Sequence, residues 1–205
     1  MTTSVGKNGS LSLANGLLWL TVAWNVVEGV IAVSSGVVAG SVALVGFGLD
    51  SFVEVTAALV LLWRLRAAED DERAERRERV AHRVVGSTFL ALAAYICAES
   101  VYVLATRDEP EASTVGLVLA IVSLVVMPVL GVTKRRNATR LRSSALISES
   151  METLICSYLS LTLFIGLAAN AAFGWWWADV AAALAMAPWI VKEGIEGLRA
   201  EECGE

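Results

Sequence analysis

The sequence holds a single histidine and three cysteines in 205 residues, charged residues make up only 18% of it, and it has no surplus of basic charge. Each shortage excludes a class of chemistry. With His82 alone, neither a multi-histidine zinc centre nor an HExxH helix is available, and a Ser-His dyad would have to use a residue beside Arg83, among charges. Cys97, Cys156 and Cys203 are an odd number, two in apolar runs and one in an acidic tail, which argues against a disulfide framework. A net charge of -5 and a pI near 5.0 argue against a nucleic-acid partner, whose phosphates call for a surplus of Lys and Arg.

Apolar sequence is abundant. Hydrophobic residues make up 56% of the chain and the mean hydropathy is +0.63, too apolar for a soluble domain of this length. Six runs stand out, over residues 13–34, 42–63, 84–105, 115–133, 144–172 and 175–191. A helix rises about 1.5 Å per residue and a hydrocarbon core is about 30 Å thick, so the expected fold is all-α: one integral membrane domain, a bundle of six transmembrane helices. The first run is too long and too acidic for a cleaved signal peptide and is kept as structure.

Orientation follows from Lys and Arg. All but Arg107 of the 16 basic residues fall before the first run, between the second and third, between the fourth and fifth, or after the sixth. By the positive-inside rule this places both termini in the cytoplasm of a multi-pass protein of the cell membrane, with Trp175, Trp176 and Trp177 at the outer interface. The segment 64–83 interleaves Arg with Glu and Asp and is expected to form a solvated helix or helical extension; its charge nearly cancels, so anionic lipid exerts little net pull on it. His82 at its end is expected to be a solvated interfacial residue.

Carboxylates inside the runs carry the functional argument. Glu28, Asp50, Glu54, Glu99, Glu149, Glu152 and Asp179 all lie at membrane depth, where an ionisable group costs several kcal/mol unless it faces a cavity or a partner. No Lys or Arg is expected among them. Asp50 and Glu54 are one helical turn apart, and Glu149, Glu152 and Cys156 follow spacings of three and four, so each set shares a face. Two such faces converging on an ion supply carboxylate oxygens and a thiolate to a borderline divalent cation. The isolated acids read two ways. Glu28, Glu99 and Asp179 are either protonated hydrogen-bonding residues in a helix interface or accessory groups of the site. Cys97 reads as a packing residue, as Cys156 would without its register to Glu152.

The two acidic helices align without gaps, Ser41-Val-Ala-Leu through Asp50 to Glu54 on Ser143-Ser-Ala-Leu through Glu152 to Cys156, a local repeat rather than a duplicated half. In these residues the chain resembles the cation diffusion facilitator (cation efflux) family, whose second and fifth helices each carry a pattern like S-x-A-L-x-A-D-A-x-H/D-x-x-x-D. The resemblance implies that Asp50, Glu54, Glu152 and Cys156 are the transport-site ligands, with Glu149 three residues before the first ligand of its helix. Glu28, Glu99 and Asp179 in Trp-Trp-Ala-Asp extend it over the whole bundle. Cys156 stands where the family usually has Asp, and no intramembrane His is present. The chain resembles the short members, without a soluble cytoplasmic domain after the sixth helix.

The expected function is export of a divalent metal cation from the cytoplasm by alternating access, with protons as the counter-ion held by the crowded acids Asp50, Glu54, Glu149 and Glu152. No prosthetic group is expected. Zinc is the first choice because an O/S donor set suits it, and cobalt, iron, cadmium, nickel and manganese stay open. The resemblance implies a homodimer in the lipid bilayer. A non-transporting metal sensor or assembly partner is the competing reading. An intramembrane protease fits poorly, since Gly46-Phe-Gly48-Leu-Asp50 sets the Asp one residue late for a GxGD motif and no second catalytic Asp has a suitable setting. A small multidrug-type exporter leaves the paired acids unexplained.

Overall fold

The computed structural model describes the backbone of residues 3–66, 71–107, 109–141 and 143–199. The side chains of 3–8, 10, 64–66, 71–82, 84, 144 and 145 lie outside that description, and with them His82 and nearly all of the 64–83 segment; Cys203 lies outside it as well. Every regular element among the described residues is an α-helix: α1 Thr3–Ala39, α2 Val42–Arg66, α3 Asp71–Thr106, α4 Thr114–Leu141, α5 Ser144–Phe173 and α6 Trp177–Arg199. Five of them, α1 to α5, are long and apolar enough to cross a membrane. This is a multi-pass helical membrane protein.

The helices overrun the apolar runs for local reasons. Ser34 and Ser35 do not break α1, because their hydroxyls bond back to carbonyls one turn earlier, on Val30 and Ile31. The helix ends instead at Gly40, whose φ of +66 lets Ser41 N reach Gly36 O at 2.9 Å, closing a Schellman turn. α4 continues from Thr133 to Leu141 through basic residues that are good helix formers. α3 starts at Asp71, so the described part of the charged segment extends that helix. Cys97 on α3 is exposed rather than packed inside. α6 is the departure from six equal spans: uncharged sequence runs only from Val180 to Val191, short of the ~20 residues a span needs, and Lys192 and Glu193 are already helical. It belongs to the bundle through packing on α3, α5 and α2.

The pairing is orderly: α1 with α2, α4 with α5 and α3 with α6, joined by α1 to α4 and α2 to α5. Inside, two apolar clusters are separated by a polar layer. The smaller holds Ala14 and Leu18 of α1, Leu61 and Leu62 of α2, Ala138 of α4 and Leu146 of α5. The larger holds Ala32, Phe47, Leu119, Leu159, Leu163 and Met186, among others. Between them lie buried Asn25, Glu28, Asp50, Ser51, Glu54, Ser123, Lys134, Glu149 and Thr153.

Small residues let the helices approach closely enough to form this layer. A Cβ on Gly48 of α2 would stand 2.8 Å from the backbone nitrogen of Val33 on α1, and one on Gly131 of α4 would stand 2.8 Å from the side chain of Leu154 on α5. The end of the bundle opposite Lys134 is tied across elements. Ser41 Oγ donates to Asp179 Oδ1 at 2.5 Å, and Ala43 N donates to Oδ2 at 3.4 Å, so a carboxylate from α6 caps α2. Glu111 N reaches Ala39 O at 2.8 Å, and Asn170 Nδ2 reaches Pro110 O at 2.8 Å.

Two stability changes follow. Gly48→Ala forces α1 and α2 apart and is expected to cost about 1–3 kcal/mol, read as a lower melting temperature in detergent; Gly16→Ala, whose Cβ meets nothing within 4 Å, leaves it unchanged or slightly higher. Asp179→Ala removes the cap of α2 and is expected to cost about 1–2 kcal/mol, seen in the same melt.

Candidate functional site

The site begins with two helix registers. On α2, Asp50 and Glu54 point into the polar layer while Phe52 between them is exposed. On α5, Glu149, Thr153 and Cys156 are buried, Glu152 is half-buried and Met151 is exposed. The packing of α2 on α5 brings these faces together: Cys156 Sγ donates to Asp50 Oδ2 at 3.3 Å, across 106 residues of sequence. Glu54 Oε2 accepts from Asn25 Nδ2 of α1 at 2.7 Å, and Glu28 Oε2 accepts from Ser51 Oγ at 3.1 Å.

Three of the acids are only half-satisfied. Glu28 Oε1, Glu54 Oε1 and Glu149 Oε2 are buried without a hydrogen-bond partner. In the ionised form these atoms can only accept, and leaving one unmatched inside a protein costs on the order of 1–3 kcal/mol or more. A proton or a cation supplies what is missing.

Beside them a small cavity of about 20 Å³, room for one water- or ion-sized occupant, opens among α2, α3, α5 and α6. Asp50, Glu54 and Glu152 border it with Phe89, Leu159, Trp189 and Ile190, and its wall as placed is almost wholly apolar, the carboxylate oxygens being turned away from the space. Cys156 is not on that wall; it stands behind Asp50 as its hydrogen-bond donor. Among the described residues, no three His, Cys, Asp or Glu side chains stand close enough together to chelate an ion as placed.

The other acids separate. Glu149 is paired with Lys134 of α4, whose Nζ lies 2.5 Å from Oε1 and also donates to Thr153 Oγ1 at 2.8 Å. This overturns the expectation that no basic residue accompanies the acids. Lys134, counted in the sequence as a marker of the cytoplasmic surface, is only 4% exposed. Asp179 caps α2 away from the cavity, and Glu99 is half-buried on α3 and does not line it.

Two residues were missed in the sequence. Glu193 of α6 lines the cavity with Asp50, Glu54 and Glu152; it follows Asp179 by about four helical turns, a spacing that returns it close to the same face. Lys134 continues the buried stripe Met127, Leu130, Gly131 and Ala138 at helical spacing, a signal that the basic run around it concealed.

Comparison with known proteins supplies the family. The cation efflux transmembrane domain matches residues 18–200. Transmembrane protein 163 of Xenopus laevis is 25% identical over 147 residues, which cover 72% of this chain and 52% of that protein, so the chain spans about half the length of this curated relative. The domain match runs from within α1 through the end of α6, leaving no helix of the bundle outside it, and the chain belongs to the cation efflux family.

Proposed function

We propose that the protein carries a divalent metal cation out of the cytoplasm in exchange for protons, zinc being the first choice. The observation that supports this most is Glu54 Oε1, a buried carboxylate oxygen without a donor on a residue that borders the cavity with Asp50, Glu152 and Glu193, with Glu28 Oε1 and Glu149 Oε2 likewise open in the same polar layer. An acidic layer built for stability alone would place a donor on each oxygen. A layer built for a cation leaves oxygens open.

Asp50, Glu54, Glu152 and Cys156 are the proposed ligands. In the ion-free state protons and the Cys156–Asp50 hydrogen bond hold them. An arriving ion displaces the protons, Cys156 turns its sulfur from Asp50 to the metal as a thiolate, and Glu152 closes over from its half-buried position. Two oxygen-bearing helix faces and one sulfur then surround the ion in a geometry that zinc tolerates. α2 and α5 present the site alternately to the two sides. The basic residues of the α4 end face the cytoplasm, the ties around Asp179 face outward, and the working unit is a homodimer in the cell membrane.

Metal uptake into inverted vesicles tests the reading. Glu152→Gln is expected to cut zinc flux at least roughly tenfold; flux indifferent to it would contradict the ligand assignment, and zinc binding without flux in the wild type would mark a sensor instead. Since each ligand must lose its proton to bind, affinity falls as pH falls. Zinc-dependent thermal stabilisation should therefore shrink between roughly pH 8 and roughly pH 6. A panel of divalent ions repeated on Cys156→Ser is expected to lose preference for zinc and cadmium relative to manganese, because the soft donor is gone.

A further inference from the structure

Among the described residues one buried cation, Lys134, lies with the acids, and the transport reading does not use it. Lys134 projects from α4 where Gly131, one turn earlier, lets that helix close on α5 against Leu154. Its Nζ is bonded to Glu149 and to Thr153, which sits between Glu152 and Cys156 on α5. Lys134 does not line the cavity, so it does not occupy the place of an ion. Glu149 meanwhile keeps its second oxygen without a donor, so the pair does not exhaust the acid.

A buried ion pair is a poor device for stability, since apolar residues of similar volume often serve as well or better. Its effect on charge is larger. With Lys134 and Glu149 cancelling, the cavity side of the layer faces a cation with Asp50, Glu54 and Glu152; without Lys134 it would add Glu149 to them. We propose that Lys134 is a tethered counter-cation that sets the affinity of the site: it neutralises Glu149 and opposes the arriving ion through the field, keeping binding weak enough for release on the far side. This rests on the divalent-cation reading above. Lys134 acts through Glu149 and the layer, and is a positioning residue rather than a ligand.

The pair gives opposite single effects, which a structural strut would not. Zinc alone is titrated against the purified full-length protein in detergent, reading the dissociation constant from thermal stabilisation. Lys134→Gln exposes one more negative charge and is expected to tighten binding on the order of tenfold. Glu149→Gln leaves the Lys134 charge unmatched and is expected to weaken it by a similar factor. The double variant Lys134→Gln/Glu149→Gln restores the wild-type constant to within about threefold, and Lys134→Arg retains it. Each single variant is a separate test, so misfolding of one leaves the other decisive, and the double variant buries no unmatched charge.

The inference is overturned if Lys134→Gln and Glu149→Gln lower the melting temperature while leaving the zinc constant unchanged, or if both shift it the same way. It is also overturned if the double variant binds as weakly as Glu149→Gln alone, which would make Glu149 a ligand. A wild type that no divalent ion stabilises would instead remove the transport reading on which the inference rests.

Discussion

A carboxylate in the middle of a membrane has to be compensated by something, and the arrangement of this protein follows from that requirement. The acids are gathered largely into one layer between two apolar clusters, the smaller built from α1, α2, α4 and α5 and the larger from all six helices. Along α1 the order is Leu18, then Asn25 and Glu28, then Ala32; along α2 it is Phe47, then Asp50 and Glu54, then Leu61. Within the layer compensation is partial by design of the donors. Asn25, Ser51 and Cys156 each give one hydrogen bond to one acid, and Lys134 gives a full charge to Glu149. What remains is a small set of open oxygens, that of Glu54 bordering the cavity, and on these the proposed cation binding depends.

The two ends of the bundle differ. Around Asp179 the start of α2, the end of α1, the α3–α4 connection and the end of α5 are tied by hydrogen bonds between elements. Toward the other end the cavity is bounded by Trp189, Ile190 and Glu193 of α6, beyond which the helix carries its charged turns. One end is held by polar ties and the other is lined by an acid. The close approach at Gly48 and Gly131 keeps α2 on α1 and α5 on α4, so that α2 and α5, which carry the proposed ligands, each pack closely on a partner helix.

Much of this was legible in the sequence because membrane helices obey strong rules. Apolar runs gave the helices, and the i, i+4 spacing of Asp50 and Glu54, with the matching Glu152 and Cys156, marked the faces that meet. The Ser34–Ser41 stretch misled about where α1 ends, since side-chain hydroxyls satisfied by their own helix look polar in sequence but cost the helix nothing. Lys134 was hidden by its neighbours: in a run of Lys and Arg at a helix end, only the buried stripe on its face separates the inward lysine from the solvated ones. Asp179 lies inside the sixth run and Glu193 just beyond it, yet it is Glu193 that borders the cavity, because whether an acid caps a helix or lines a cavity depends on which neighbour its helix meets. Such contacts lie far apart in sequence, Ser41 with Asp179 across 138 residues, and periodicity does not report them.

The central claim is that Asp50, Glu54, Glu152 and Cys156 close around one divalent ion. X-ray absorption at the zinc edge of the metal-loaded protein reads that donor set directly, because a Zn–S contact near about 2.3 Å is resolved from Zn–O contacts at about 2.0–2.2 Å. The expected result is one sulfur beside oxygen donors in the wild type, with the sulfur contact absent from Cys156→Ser. A wild-type shell containing no sulfur would contradict the account.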